Sequence, residues 1–269
     1  MKFTKIPAVL SIAGLDPSGG AGLIADIKTL LANGVYGMGA VTNITAQNTT
    51  GVKAVEPVPA GLLKQQIMTA ADDIHPAAIK VGMVGTKPLL RTVEECIRLI
   101  GSPVVIDPVM ISSSGTPLLS DEAREALFHL LPMALLITPN YPEAISLAGE
   151  EESPSWLARL IGDKYQTNVL VKGGHLSVPS DYLYLVSEKR TVSFPGLHID
   201  NPNTHGTGCT LSSAIAANLA KGNSLTASVR LAKEYISTII SAGLDLGQGS
   251  GPMDHGAAIR GDFTERYSL

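Results

Sequence analysis

The sequence predicts an α/β fold with a mostly parallel sheet covered by helices on both faces, and two observations carry that expectation. Short apolar runs at 8–13, 40–44, 79–81, 104–106, 135–137 and 168–171 alternate with longer segments whose apolar residues recur at helical spacing. Several of the runs end directly in glycine, amide or carboxylate residues, as strands do when their carboxyl ends border a ligand crevice. No internal repeat, low-complexity tract or linker divides the 269 residues, so a single domain spanning 1–269 is expected.

Composition narrows the partners. With 45% hydrophobic and 16% charged residues the chain reads as a globular protein with a substantial core. A formal net charge of -4, without any Lys/Arg run interleaved with aromatics, gives no attraction to polyanions, so nucleic acid is not expected and a small ligand is. Cys96 and Cys209 lie far apart without metal-ligand companions, which suits a reducing compartment, and the cytoplasm is the expected location. No apolar stretch approaches the ~18 residues of a membrane span, and the N-terminal apolar run leads straight into a motif rather than a cleavage site.

The first run ends in Gly14, followed by Leu15, Asp16, Pro17, Ser18, Gly19, Gly20, Ala21 and Gly22, which reads as strand, glycine-rich turn and helix. Leu23, Ile27, Leu30 and Leu31 keep helical spacing, and Asn33-Gly34 stops the helix. The turn is not a Walker loop, because Gly20-Ala21 stands where Lys-Ser/Thr must be, and its glycine spacing fails the dinucleotide fingerprint. Asp16 either projects into a ligand or caps the helix.

The run 40–44 continues into Thr45, Ala46, Gln47 and Asn48, polar residues read here as following a strand and pointing out from the sheet's end. A glutamine offers a donor and an acceptor side by side, the pattern that reads the ring nitrogen and exocyclic amine of an aminopyrimidine. Asn48 fits an Asx-turn. A helix over 62–71, the run 79–81 and a helix carrying Leu89, Leu90, Val93, Cys96, Ile97 and Ile100 come next. Cys96 lies on that apolar stripe and reads as core; Met83, just past a strand, reads by itself as core too.

The run 104–106 ends in Asp107, Pro108 and Val109, and the run 135–137 in Thr138, Pro139, Asn140, Tyr141, Pro142 and Glu143. Two carboxylates and an amide at one sheet edge form a hard-oxygen site suited to Mg²⁺ held mostly through water and nucleotide phosphate, although Glu143 alone also reads as a first-turn helix residue. Ser120 is placed to cap a helix over 121–131, and 149–162 reads as an acidic loop and a short helix. After 168–171, Lys172 and Gly173 supply a point charge and accessible backbone for a nucleotide phosphate, with Gly174 and His175 in the same loop. Residues 182–186 and 190–194 read as an edge hairpin.

Residues 203–210, NTHGTGCT, open a small-residue helix that runs through Lys221. Gly206 and Gly208 let backbone N–H groups approach an anion, and Cys209 falls where the helix dipole favours a thiolate and lowers its pKa. The stretch reads equally as a tight turn capped by Thr204 or Thr207 beside a buried free cysteine. A helix over 224–242 and a glycine-rich segment with Gly247, Gly249, Gly251, Pro252 and His255 follow.

Together GLDPSGGAG, TAQNT, KVGM, NYPE and NTHGTGCT resemble the hydroxymethylpyrimidine and phosphomethylpyrimidine kinases of thiamine biosynthesis, a branch of the ribokinase-like superfamily, over nearly the whole chain. Most of the superfamily carries an aspartate base where Cys209 stands; the vitamin-kinase branch carries cysteine. The resemblance implies a three-layer α/β/α sandwich, ATP and Mg²⁺, a homodimer, and phosphorylation of 4-amino-5-hydroxymethyl-2-methylpyrimidine and then of its monophosphate. It implies that Asp16 and Gln47 orient the ring while Met83 and Val109 pack on it. Lys172, Gly173, Thr204, Gly206, Thr207 and Gly208 would face the nucleotide and anion hole. Asp107, Asn140 and Glu143 would serve the metal, Cys209 would be the general base, and the helix 224–242 would border the adenine. Ser113, a lysine in some members, and Leu15, usually a small hydroxyl residue, depart from the pattern and bear on fine specificity. Two other readings stay open: a pyridoxal kinase, and a non-catalytic pyrimidine- or nucleotide-binding regulator. Intact Asp107, Glu143, Lys172 and Cys209 speak against the regulator.

Overall fold

The computed structural model describes residues 5–110, 119–173, 180–196, 199, 201, 203, 205–257 and 259. Among them nine strands form one sheet: β1 (Ala8–Leu15), β2 (Tyr36–Asn48), β3 (Gly51–Pro57), β4 (Ala78–Val81), β5 (Val104–Ile106), β6 (Leu136–Ile137), β7 (Asn168–Val171), β8 (Ser180–Leu185) and β9 (Arg190–Pro195), in the order β3-β2-β1-β4-β5-β6-β7-β8-β9. The six from β2 to β7 in that order are parallel, while β3 at one edge and β8 and β9 at the other are antiparallel. This is the ribokinase-like α/β/α architecture.

Period-two alternation in the inner strands creates the layers. Leu10, Ile12, Ile79, Val81, Ile106, Ile137, Val169 and Val171 pack against α2 (Ala60–Asp73), α3 (Lys87–Ile100), α4 (Asp121–Leu130), α5 (Tyr141–Ala148) and α6 (Pro154–Tyr165). Val9, Ala78, Val105, Leu136 and Leu170 pack against α1 (Gly22–Ala32), α7 (Thr207–Ala220) and α8 (Leu225–Ser241). Cys96 is buried on the apolar face of α3, as its spacing required. Ser120 caps α4 by accepting from Ala123 N–H, and Pro132 turns the chain into a 3-10 turn at Leu131–Met133 before β6.

Two local expectations change. The strand read at 40–44 runs on to Asn48, so Gln47 sits within a strand rather than beyond its end. The partner that extends it is β3, which pairs antiparallel with Asn43–Asn48; Asn48 closes the turn by accepting from Thr50 N–H at 3.0 Å. The mostly exposed β3 carries too weak an alternation to be read from sequence. The cap of α7 is the other change. Its N-cap is Gly206 at φ 83°, without a side-chain cap, so Thr207 is the first helical residue rather than the cap.

Candidate functional site

The two glycine turns, one near each end of the chain, are stacked on each other. A Cβ on Gly206 would lie 2.0 Å from the Gly20 carbonyl oxygen, and one on Gly20 would lie 2.6 Å from His205 Cδ2. Only glycine meets both the contact and the left-handed φ at 206. Gly22 N–H stands near enough to Cys209 to pull its thiol down, so the second motif faces the first at the thiol itself. The first bond of the α7 ladder runs from Thr210 N–H to Gly206 C=O at 2.9 Å; the N–H groups of Gly208 and Cys209 precede it and mark a helix N-terminus open to an anion.

A cleft of about 1460 Å³ follows this edge of the sheet. On the β1–β2 side it is lined by Asp16, Gln47, Met83 and His205. At the centre lie Asp107, Val109, Asn140, Glu143, Lys172 and the stretch from Gly206 through Cys209. On the β9–α8 side lie Phe194, Ile199, Arg230, Ile236 and Ile240. Of the residues singled out in the sequence, Cys209, Asp16, Gln47, Met83, Val109, Lys172, Gly206, Thr207, Gly208, Asp107, Asn140 and Glu143 all border this one cleft. Gly173 does not line it: its N–H donates to Asp181 Oδ1 at 2.9 Å, and Asp181 is itself a lining residue. Thr204, Gly174, His175 and Ser113 lie outside the described residues.

On the β1–β2 side Asp16 is both a turn staple and a cleft wall. Its Oδ1 accepts from Ser18 N–H at 2.9 Å and Ser18 Oγ–H at 2.7 Å, and its Oδ2 from Ala21 N–H at 3.0 Å, with His205 Nε2 also at 3.0 Å. Burial pushes this carboxyl up, but hydrogen bonds from His205 and Ser18 outweigh it and hold Asp16 below its ordinary value. Gln47 continues the chain, its Nε2 3.3 Å from His205 Nε2 and its Oε1 3.3 Å from Thr45 Oγ1. Met83 Sδ closes over Gly14, where a Cβ would stand 3.2 Å from the sulfur.

At the centre, Lys172 Nζ donates to Asp107 Oδ1 at 2.8 Å, and a Cβ on Gly208 would meet Lys172 Nζ at 3.1 Å and Asp107 Oδ2 at 3.3 Å. A side chain at 208 would therefore fill the space between the ion pair and the helix N-terminus. Burial lowers the Lys172 ammonium, but Asp107 and Glu143 more than restore it and keep it above its ordinary value. Asn140 and Glu143 form a reciprocal capping box on α5: Asn140 Oδ1 accepts from Glu143 N–H at 2.8 Å, and Glu143 Oε2 from Asn140 N–H at 2.9 Å. Burial, with the Asp107 charge adding to it, pushes Glu143 up to about 7.

One expectation about this region needs correction. The helix dipole does not leave Cys209 an easily ionised thiol. Burial pushes it up to about 11, with Lys80 and the Gly22 N–H pulling down and Asp26 and Asp107 pushing up. Asn140 Oδ1 is committed to its helix, and among the described residues no group of three or more His, Cys, Asp and Glu is disposed to hold an ion. The residues fit Mg²⁺ through Asp107 and Glu143, facing carboxylates whose mutual repulsion a cation would relieve, with water and phosphate completing the shell.

Sequence reasoning missed three residues here. His205 lay inside the quoted motif without a role. Lys80 and Asp26 are fully buried and joined at 2.8 Å, and Asp26 also accepts from Ser11 Oγ–H at 2.6 Å and Ser213 Oγ–H at 2.8 Å. The signal existed: Lys80 alternates with apolar neighbours in a buried strand, and Asp26 falls between Leu23 and Leu30 on an apolar helix face. The pair lies under α7, one turn below Cys209, and despite burial the charges of Asp26, Cys209 and Asp107 hold the Lys80 ammonium above its ordinary value.

Residues 16–254 match the family model described as phosphomethylpyrimidine kinase. A hydroxymethylpyrimidine/phosphomethylpyrimidine kinase of Streptomyces coelicolor is 42% identical over 262 residues, covering 94% of this chain and 96% of the relative. Among solved structures, the phosphomethylpyrimidine kinase of Clostridium difficile superposes with a TM-score of 0.75 at 40% identity, covering 86% of this chain and 98% of that one. The ADP complex of Bacillus subtilis pyridoxal kinase gives 0.85 at 35% identity, covering 94% and 98%. No helix among the described residues is long and apolar enough to cross a membrane.

Proposed function

The chain belongs to the phosphomethylpyrimidine kinase family, and from that premise we propose that it moves the γ-phosphoryl group of ATP to the hydroxymethyl oxygen of 4-amino-5-hydroxymethyl-2-methylpyrimidine and then to the monophosphate so formed. It is a phosphotransferase with a kinase role in thiamine synthesis. The observation that best supports the two-step substrate is the close stacking of the two glycine turns. It sets Cys209 between a wall of neutral hydrogen-bonding groups at Gln47 and a floor of N–H donors and Lys172.

In this reading Gln47 and Asp16 orient the ring, Met83 and Val109 pack on it, and the acceptor hydroxyl meets the phosphate above α7. Phosphoryl transfer passes through a loose transition state, so alignment and charge neutralisation do most of the work. The N–H groups of Gly206, Gly208 and Cys209, with the Lys172 ammonium and Thr207, receive the equatorial oxygens. Bound Mg²⁺ would neutralise charge on the β- and γ-phosphate oxygens, held through Asp107 and Glu143. Cys209 accepts the hydroxyl proton. Only the thiolate can take it, and with the thiol near 11 about one molecule in ten thousand is ionised at pH 7, so the base contributes modestly there and more as pH rises. The family expectation extends the proposal to a one-domain chain working as a cytoplasmic homodimer.

The test is ADP release with hydroxymethylpyrimidine, its monophosphate and pyridoxal measured in parallel. Both pyrimidines should be turned over, with kcat/KM at least about tenfold above that for pyridoxal. Turnover of pyridoxal alone would replace this reading with the vitamin B6 one.

A further inference from the structure

We infer that His205 is a positioning residue for substrate selection: its Nε2–H fixes the sense of the Gln47 amide and so the order of donor and acceptor on the pocket wall. The inference rests on the aminopyrimidine reading above for its substrate and on hydrogen-bond bookkeeping for its geometry.

An amide's oxygen and nitrogen are told apart by their partners, and both partners of Gln47 select the same sense. At one end, Thr45 Oγ1 has a single proton and lies 2.9 Å from the Leu15 carbonyl oxygen, which can only accept. Its remaining capacity toward Gln47, 3.3 Å away, is as an acceptor, so the amide nitrogen belongs there. At the other end, Asp16 already receives Ser18 N–H, Ser18 Oγ–H and Ala21 N–H, the donor set of an ionised carboxylate. His205 Nε2, 3.0 Å from Asp16 Oδ2, must therefore carry a proton. That nitrogen cannot also accept from Gln47, so the atom facing it at 3.3 Å is the amide oxygen, sharing the Nε2–H with Asp16 in a three-centre bond. Both arguments reverse the two amide atoms as given above, and they do so independently.

The consequence is a wall of fixed polarity. Gln47 keeps one N–H on the Thr45 side and an oxygen lone pair on the His205 side, and neither can exchange places while His205 donates. A 4-aminopyrimidine presents a ring-nitrogen acceptor beside an amine donor and complements that order. Its 4-oxo counterpart presents a ring N–H beside a carbonyl oxygen and opposes it. A free amide would rotate and read both.

Two measurements decide the matter. The first compares kcat/KM for 4-amino- and 4-oxo-5-hydroxymethyl-2-methylpyrimidine in the wild type, His205→Leu and His205→Gln. Loss of the donor should reduce the amino/oxo ratio by about tenfold or more, while Gln, which restores an N–H near the same point, should retain it. Equal losses on both substrates in His205→Leu would overturn the inference, because a packing defect alone does that. The second needs no substrate and no variant: long-range ¹⁵N–¹H spectra of the ligand-free protein should show the His205 proton on Nε2. A bare Nε2 with the proton only on Nδ1 would overturn it. Should the wild type turn over neither pyrimidine, the proposed function fails, and the tautomer still decides whether His205 sets the amide.

Discussion

Asp16 and Glu143 are both buried carboxylates on one cleft, and their surroundings push them in opposite directions. Each is desolvated, and each accepts backbone N–H groups. For Asp16 those bonds, with His205 and the Ser18 hydroxyl added, outweigh burial. For Glu143 burial outweighs the pull of Lys172 and of the Asn140 and Met110 N–H groups, with the Asp107 charge adding to the push. The wall that would hold the ring is electrostatically settled in the free protein. The floor that would hold phosphate keeps two carboxylates against one ammonium, with the N–H groups of the α7 N-terminus beside them and the Glu143 carboxyl raised. Preorganisation toward a polyphosphate is visible as strain on one side of the cleft and its absence on the other.

The strongest way to break this contrast is at the contact that joins the two sides. Gly206→Ala should force the Gly20 carbonyl away and tilt the α7 N-terminus, lowering kcat/KM by about a thousandfold in the ADP-release assay, with KM for ATP rising as well. A fall of less than about tenfold would mean the turns are not mechanically coupled.

Cys209→Ala tests the floor alone. It should lower kcat by about tenfold to a hundredfold with KM little changed, since a loose transition state needs modest help from a base. With a thiol near 11, wild-type kcat should climb across pH 7 to 9 and the variant's should stay flat. Parallel pH profiles would leave the sulfur only a packing role.

The smallest effects sharpen the contrast directly, in thermal melts without ligand. The folded-state value of Glu143 is raised from 4.5 to about 7, so stability fully present below 4.5 is lost as pH rises through 7. Glu143→Gln should therefore be more stable than wild type by about 2 kcal/mol at pH 8, the gap closing near pH 4.5, while losing activity. Asp16 is lowered from 3.8, so its contribution is present above that value and lost as pH falls. Asp16→Asn should cost about 1 to 2 kcal/mol at pH 8. Melting shifts of the same sign for both variants would refute the comparison.

The layered fold was legible because the inner strands are apolar on both faces and the helices keep one stripe, patterns that survive without tertiary information. The positions of Asp107, Glu143 and Lys172 were legible for a related reason: Asp107 and Lys172 directly follow buried strands, Glu143 opens the helix after another, and strand ends in a parallel sheet share an edge. Direction was harder to read. Gly173 looked available until Asp181, eight residues on, took its N–H. The start of α7 promised an ionised Cys209, but the depth at which the helix is sunk is a property of packing rather than of local sequence. Gln47 was assigned to the right wall from the wrong element, because β3 contributes hydrogen bonds without an apolar signature. Asn140 and Glu143 were seen as a pair, and the capping box shows why their spacing is three.

The pair Lys80–Asp26 binds together β1 through Ser11, β4, α1 and, through Ser213, α7. Gly82 leaves room for it, since a Cβ there would stand 2.6 Å from Lys80 Nζ. For anyone wishing to retarget this scaffold to another alcohol, that keystone divides the molecule into parts with different tolerance. Exposed residues along the outer face of α8 can be exchanged one at a time. Ser11, Asp26, Lys80, Gly82 and Ser213 would have to be redesigned as a set or left alone.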